Sequence, residues 1–234
     1  MQTQQGANRA PVQGIVFDFD GTLAELHLDF QVMKQKVAGL ANAFFDTPVS
    51  PNSDPALEWI EALSAELAAI DPDAVAEFQS RCRLMITDME IKAARQGKLF
   101  PSVLEALQTL RDQKIKLGVI TRNCTAAVRI VFPEISQRVD VFLAREDAPR
   151  VKPHPDHLLR AIQALGLLPE VCLMVGDHRI DIQTARQAGV RCAAVCTGHM
   201  SEADLRMEHP DFLADNVRIL LQDLLDRELL WNGK

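Results

Sequence analysis

Apolar runs of strand length recur along this chain, and helical patterns separate them. Gly14 to Phe17, Ile115 to Ile120, Val171 to Val175 and Arg191 to Cys196 each have the length and composition of a buried strand. A shorter run, Val139 to Leu143, reads the same way. Helical spacing fills the intervals: Ser102 to Gln113, Thr125 to Val131, Pro155 to Leu165 with Gly166 as its stop, and a segment ending near Gly189. Asp204 to His209 and Leu213 to Leu230 read as closing helices. Strands that alternate with helices demand a mainly parallel sheet with crossover helices on both faces. Such open sheets take their ligands at the carboxyl ends of the strands.

The alternation starts late. Between the first strand and Gly97 the chain reads as helix only. Leu26, Phe30, Met33, Val37 and Leu40 recur at helical spacing, as do Leu57, Ile60, Leu63 and Leu67. Asp71-Pro72 marks a helix start, and a proline-bearing stretch from Asp46 to Pro55 marks a loop. Residues 25–97 are therefore expected to form a small helical second domain, inserted into a core of residues 13–24 and 98–234. Residues 1–12, polar and rich in Gln at the start, are expected to form a flexible tail.

Chemistry-bearing residues fall where the expected strands end. The first strand runs into Asp18-Phe19-Asp20-Gly21-Thr22, the second into Thr121-Arg122-Asn123, and the third into Gly176-Asp177-His178-Arg179-Ile180-Asp181. Lys152 opens Lys152-Pro153-His154-Pro155-Asp156 just ahead of a helix. Taken singly, each has a plain structural explanation. Asp18-Phe19-Asp20 could be an acidic turn, Thr121 a helix cap, Lys152 a surface charge and Asp181 an acid at a helix start. Taken together they supply acids, a hydroxyl and a lysine at one sheet edge, which suits a magnesium ion and a phosphate.

In order and spacing, these four stretches resemble the four motifs of the haloacid dehalogenase superfamily, in its phosphoglycolate-phosphatase-like branch with a small helical cap. The resemblance runs from about Gln13 to the last helix, and Asp-Phe-Asp-Gly-Thr-Leu is its most specific part. It implies a doubly wound, mainly parallel Rossmann-like α/β sheet with an inserted small α-helical cap. It further implies a Mg²⁺-dependent phosphatase that hydrolyses a small, phosphoglycolate-like phosphomonoester through an aspartyl-phosphate. Asp18 would be the nucleophile and Asp20 the general acid and base. Asp18, the backbone carbonyl of Asp20, and Asp177 would bind Mg²⁺. Thr121 and Lys152 would hold and neutralise the phosphoryl group, with Asp181 behind Lys152. Arg122 and Asn123 border the phosphate loop, Asn123 being read either as a substrate contact or as the cap of the next helix. Arg145, Glu146 and the cap cations Arg83, Lys92, Arg95 and Lys98 are further candidates near substrate. Ser102 departs from the pattern, since relatives often carry Gly there. A phosphomutase or other phosphotransferase, or a non-catalytic binding or regulatory protein, would share the same fold.

Net charge of −7 argues against nucleic acid or an anionic membrane surface as a partner. No apolar run reaches the length of a membrane span. The five cysteines show no Cys-x-x-Cys pair, as expected of reduced thiols in a cytoplasm. Cys124 stands apart because it follows the Thr121 loop. The expected partner is a small phosphorylated metabolite, and the protein a monomer or homodimer.

Overall fold

The computed structural model describes residues 10–231. Most of the expected tail, residues 1–9, lies outside that range. Its last residue, Val12, is buried, donates its N–H to Leu229 O at 2.8 Å and accepts from Trp231 N at 2.8 Å.

The chain divides into two compact units, residues 27–96 and the stretches on either side of them. The flanking stretches build a sheet of six strands: β1 (Gly14–Phe17), β4 (Lys116–Ile120), β5 (Val141–Leu143), β6 (Cys172–Gly176), β7 (Arg191–Val195) and β8 (Phe212–Ala214). Their order is β5-β4-β1-β6-β7-β8, and every neighbouring pair is parallel. From β1 the chain winds outward through β4 and β5, then returns to β1's other side and winds out through β6, β7 and β8. β1 and β6 therefore flank the point where the winding reverses, where such sheets open a crevice at their carboxyl edge. A separate antiparallel pair, β2 (Ala24–Glu25) and β3 (Lys98–Leu99), joins the two ends of the chain that leave for residues 27–96.

Alternation along the strands assigns their side chains to two faces. Val16, Ile120, Met174, Cys192 and Ala194 share one buried cluster with Leu158, Ala161 and Ile162 of α7 (Asp156–Leu165) and with Ile182 and Ala185 of α8 (Arg179–Gln187). The alternate residues Ile15, Val119, Leu173 and Val195 point away from that cluster and are buried too. α4 (Val103–Asp112) and α10 (Val217–Asp226) contact each other and, between them, β4, β7 and β8. The expected doubly wound α/β sheet is present.

Local signals set several boundaries. α7 stops at Gly166, whose φ of 71° is the left-handed conformation that glycine adopts without a Cβ penalty. Ser102, just ahead of α4, holds a φ of 67°, which accounts physically for glycine being favoured at that place. α5 (Thr125–Val131) is capped by Cys124, whose Sγ accepts from Ala127 N at 3.4 Å, so the capping role weighed for Asn123 belongs to its neighbour. α6 (Ile135–Arg138) is a single turn of helix, and α9 (Glu202–Met207) is less than two turns. β8 went unanticipated: Phe212-Leu213-Ala214 is only three residues long and lacks β-branched side chains, so its period is too short to register. The closing helix consequently starts at Val217, capped by Asn216 Oδ1, and not at Leu213.

Residues 27–96 form α1 (Phe30–Ala41), α2 (Ala56–Ile70) and α3 (Val75–Ala94). Asp29 caps α1 by accepting from Val32 N at 2.9 Å, and Asp71 caps the 3-10 turn that leads into α3. Met33, Val37, Trp59, Leu63, Phe78, Cys82 and Ile86 fill a core of their own between the helices. Arg83, Lys92 and Arg95 are exposed on this unit, and Lys92 pairs with Asp88 at 2.6 Å.

Adjacent leucines on α7 test the assigned face. Leu158 is fully buried while Leu159 is 38% exposed. Leu158→Ala is expected to cost about 2–5 kcal/mol and Leu159→Ala less than about 1 kcal/mol, measured by urea unfolding.

Candidate active site

Strand register brings the site together before any side chain is considered. Phe17 pairs with Val119 on one side and Val175 on the other. Asp18 is therefore level with Ile120 and Gly176, while Thr121 and Asp177 each lie one residue further along. Continuing the alternation from Val16, Asp18 turns to the face covered by α7 and α8. Lys152 precedes α7 in the chain, and Asp181 lies in the first turn of α8.

Lys152 is the hub. Its side chain is 2% exposed, and Nζ stands 2.6 Å from both Asp18 Oδ1 and Asp181 Oδ1. Asp181 is fixed in turn by His178 N, which donates to its Oδ2 at 3.1 Å. Both oxygens of Asp181 are thus engaged in holding the lysine and the start of α8. Burial works against the ammonium charge, but Asp18 and Asp181 outweigh it and hold the pKa of Lys152 above its ordinary value.

Asp177 is held from another side. The Thr22 hydroxyl donates to Asp177 Oδ1 at 2.9 Å. A Cβ on Gly21 would lie 2.3 Å from Asp177 Oδ2, so only glycine lets the first loop come this close, and its φ of 79° favours glycine as well. Asp20 is half-buried, and its Oδ1 accepts from Leu26 N at 3.2 Å.

The acids are buried and outnumber their cation, and both facts bear on their pKa values. Burial, partly offset by Lys152, raises Asp18 to about 6. Burial and then the neighbouring charge of Asp18 raise Asp20 to about 7. Burial, then Asp18 and Asp181, push Asp177 well above the usual carboxylate range. A divalent cation held here would relieve this crowding. Carboxylate oxygens of Asp18, Asp177 and Asp181 lie within 4.8 Å of one another, and a set of hard oxygen donors suits Mg²⁺. Because Lys152 and His178 N occupy Asp181, Asp18 and Asp177 are the better-placed ligands of the three.

The β4 loop supplies the other expected residues. Thr121 is buried, its N–H donates to Leu143 O at 3.1 Å, and its Oγ1 accepts from Asn123 N at 3.1 Å. Arg122 is half-buried, and its carbonyl accepts from Arg145 Nη1 at 3.0 Å. Asn123 is buried. Glu146 accepts from Thr125 N at 3.2 Å and so buttresses the start of α5. Among the expected residues, Asp18, Lys152, Asp177 and Asp181 form one contiguous cluster with Asp20 beside it. Thr121, Arg122 and Asn123 line the adjacent loop.

Sequence reasoning gave no separate role to Thr22, Thr197, Gly198 or His157. Thr22 lies inside the first motif, and Thr197 and Gly198 follow β7 as the motifs follow their own strands. His157, on α7, is fully buried, and burial followed by the charge of Lys152 pushes its pKa down to about 4, so the ring is neutral. His178 caps α8 through Nδ1, which accepts from Ile180 N at 3.2 Å.

A four-motif site at the carboxyl edge of this sheet defines a class. The family model for haloacid dehalogenase-like hydrolases matches residues 15–195, and the chain belongs to that family. It is 28% identical over 218 residues to the pyrophosphatase PpaX of Bacillus cereus (strain AH820), covering 92% of this chain and 97% of that protein. It is 29% identical over 235 residues to the phosphoglycolate phosphatase of Salmonella typhimurium (strain LT2), covering 91% and 92%. A hydrolase of known structure from Pseudomonas syringae shares the fold, with a TM-score of 0.66 and 20% identity over 92% of this chain and 99% of that one.

Raised carboxylate pKa values carry a consequence for stability. Asp18, Asp20 and Asp177 bind protons more tightly folded than unfolded. Their contribution to stability therefore falls as pH rises from the ordinary carboxylate range through the raised values, about 6 for Asp18 and about 7 for Asp20. In metal-free protein, wild type is expected to lose stability relative to Asp20→Asn as pH rises from about 4 to about 7 in thermal melts. Added Mg²⁺ is expected to raise the wild-type melting temperature more at the upper pH.

Proposed function

We propose that this chain is a Mg²⁺-dependent phosphatase that hydrolyses a small, phosphoglycolate-like phosphomonoester through an aspartyl-phosphate on Asp18. The observation that carries the proposal is the contrast between two carboxylates two residues apart. Burial raises both, Asp18 to about 6 and Asp20 to about 7, but Asp18 is locked by a buried lysine at 2.6 Å, whereas Asp20 accepts from the backbone N–H of Leu26. One is an oriented carboxylate suited to attack. The other can carry a proton at neutral pH and hand it over, as general acid–base work requires.

In this reading Lys152 sets the rotation of the Asp18 carboxylate and limits the rise in pKa that burial imposes, keeping it available as a nucleophile. Asp20 protonates the departing alkoxide and later takes a proton from the water that cleaves the acyl phosphate. Lys152 and Thr121 offer positive charge and a hydroxyl to the phosphoryl oxygens as charge develops on them. Arg122 and Asn123 contribute to the substrate side of the same loop. Asp18, the carbonyl of Asp20, and Asp177 would hold Mg²⁺, and Asp181 acts through Lys152. When bound, the ion offsets the repulsion between phosphate and carboxylates and orients a phosphoryl oxygen. The helical unit of residues 27–96 is assigned to substrate choice, as the family resemblance implies. Similarity to proteins named phosphoglycolate phosphatase and pyrophosphatase supports a small anionic phosphate as substrate. The five cysteines form no disulfide among the described residues, which accords with a cytoplasmic setting. Among the described residues, no helix is long and apolar enough to cross a membrane.

Phosphate release from a panel that includes phosphoglycolate, pyrophosphate and sugar phosphates tests the proposal. Release is expected to need Mg²⁺, to fall more than about 10³-fold in Asp18→Asn, and to fall about 10²–10⁴-fold in Asp20→Asn. Lys152→Ala is expected to lose about 10²–10³-fold. Interconversion of phosphate isomers without net release would instead assign a mutase. Metal binding with no turnover of any kind would assign a binding protein.

A further inference from the structure

We infer that the loop following β7, residues 196–200, belongs to the metal-binding frame, with Thr197 and Gly198 as positioning residues for Asp177 and the Gly21 turn. The inference rests on the proposed metal-dependent reading of the site. The loop lies just past residue 195, where the family match ends.

Its contacts reach every element that carries the acids. Thr197 Oγ1 donates to Gly21 O at 2.6 Å, which pins the turn between Asp20 and Thr22. A Cβ on Gly198 would lie 1.7 Å from Asp177 Oδ2 and 2.5 Å from its Cγ, so the Gly198 backbone forms one wall of that carboxylate's slot. Gly21 forms the facing wall, with its own Cβ position 2.3 Å from the same oxygen. Thr22 closes the ring through Asp177 Oδ1 at 2.9 Å. Two further bonds hold the loop itself. Cys196 N donates to Ala214 O at 3.0 Å, and Arg179 N, at the start of α8, donates to Met200 Sδ at 3.2 Å.

Asp177 thus has little room to rotate, and that constraint comes from two loops separated widely in sequence. A carboxylate left free to turn would have to be ordered each time a cation bound. One held in a slot binds without that cost, which is why groups outside the ligand set commonly change metal affinity about 10–100-fold. Thr197 tunes the slot by fixing the Gly21 wall, and Gly198 by excluding any side chain from the other.

Mn²⁺ serves as the probe because it shares the preference of Mg²⁺ for oxygen ligands. Its binding to metal-free protein is titrated directly by the loss of the free-ion paramagnetic resonance signal, for wild type, Thr197→Val, Thr197→Ser and Gly198→Ala. Circular dichroism and metal-free melting temperature are recorded alongside. Thr197→Val and Gly198→Ala are expected to weaken Mn²⁺ binding about 10–100-fold with the fold retained, and Thr197→Ser to stay within about twofold of wild type. Binding by Thr197→Val within about twofold of wild type overturns the inference, as does an equal loss in Thr197→Ser. If Gly198→Ala does not fold, the Thr197 pair decides alone. Wild type that neither binds Mn²⁺ nor releases phosphate overturns the reading of the whole site. Wild type that does both, with binding unaltered in the variants, overturns only the role of this loop.

Discussion

A lysine ammonium withdrawn from water organises this structure. Burying a charge is costly unless it is paired and fully hydrogen-bonded, and removing one member of a buried pair typically costs about 3–5 kcal/mol. Lys152 meets the condition by drawing Asp18 from the end of β1 and Asp181 from the first turn of α8 to the same 2.6 Å. Those carboxylates belong to different elements, so the pairing fixes β1, α8 and the turn ahead of α7 relative to one another. The orientation of the Asp18 carboxylate is thereby a by-product of solvating a cation without water.

The same cation is too little for the acids around it. Asp20 and Asp177 add to the negative charge, and burial denies all of them the screening of solvent. The resulting tension has a use. It leaves Asp20 able to hold a proton near neutrality, and it makes a divalent ion the natural complement of the cluster. Strongly acidic ground and affinity for a cation are thus two aspects of one arrangement.

Much of this was legible in the chain because the signals were periodic or dense. Four long apolar runs at strand length, with helices between them, were enough to identify a parallel sheet. The rule that ligands gather at strand carboxyl ends then put Asp18, Thr121 and Asp177 on one edge. Legibility failed where the signal was short or three-dimensional. β8 offered three residues with no period. Cys124 caps α5 through a sulfur, whereas capping rules favour Asn, Ser, Thr and Asp, so Asn123 attracted the assignment. Nothing in the spacing revealed that Lys152 is buried, since a lysine after a loop reads as solvated. Thr197 and Gly198 obeyed the same strand-end rule as the motifs, yet a Thr-Gly pair carries no charge to draw notice.

The central position of β1 also bears on how the protein comes into being. β1 is made early, but its hydrogen-bonding neighbours on the two sides are β4 and β6, and the Thr22–Asp177 bond spans 155 residues of sequence. During synthesis the strand that ends in Asp18 must wait, with both edges open, while residues 27–96 are completed and the later strands emerge. Helices built on local contacts form fast, whereas pairings between distant segments are slow. The helical unit can therefore be finished while the sheet is still missing its middle. An unpaired Ile-Val-Phe edge is the kind of surface to which chaperones bind and through which chains aggregate. Placing Asp18 at the end of β1 thus leaves the nascent chain exposed until β6 arrives.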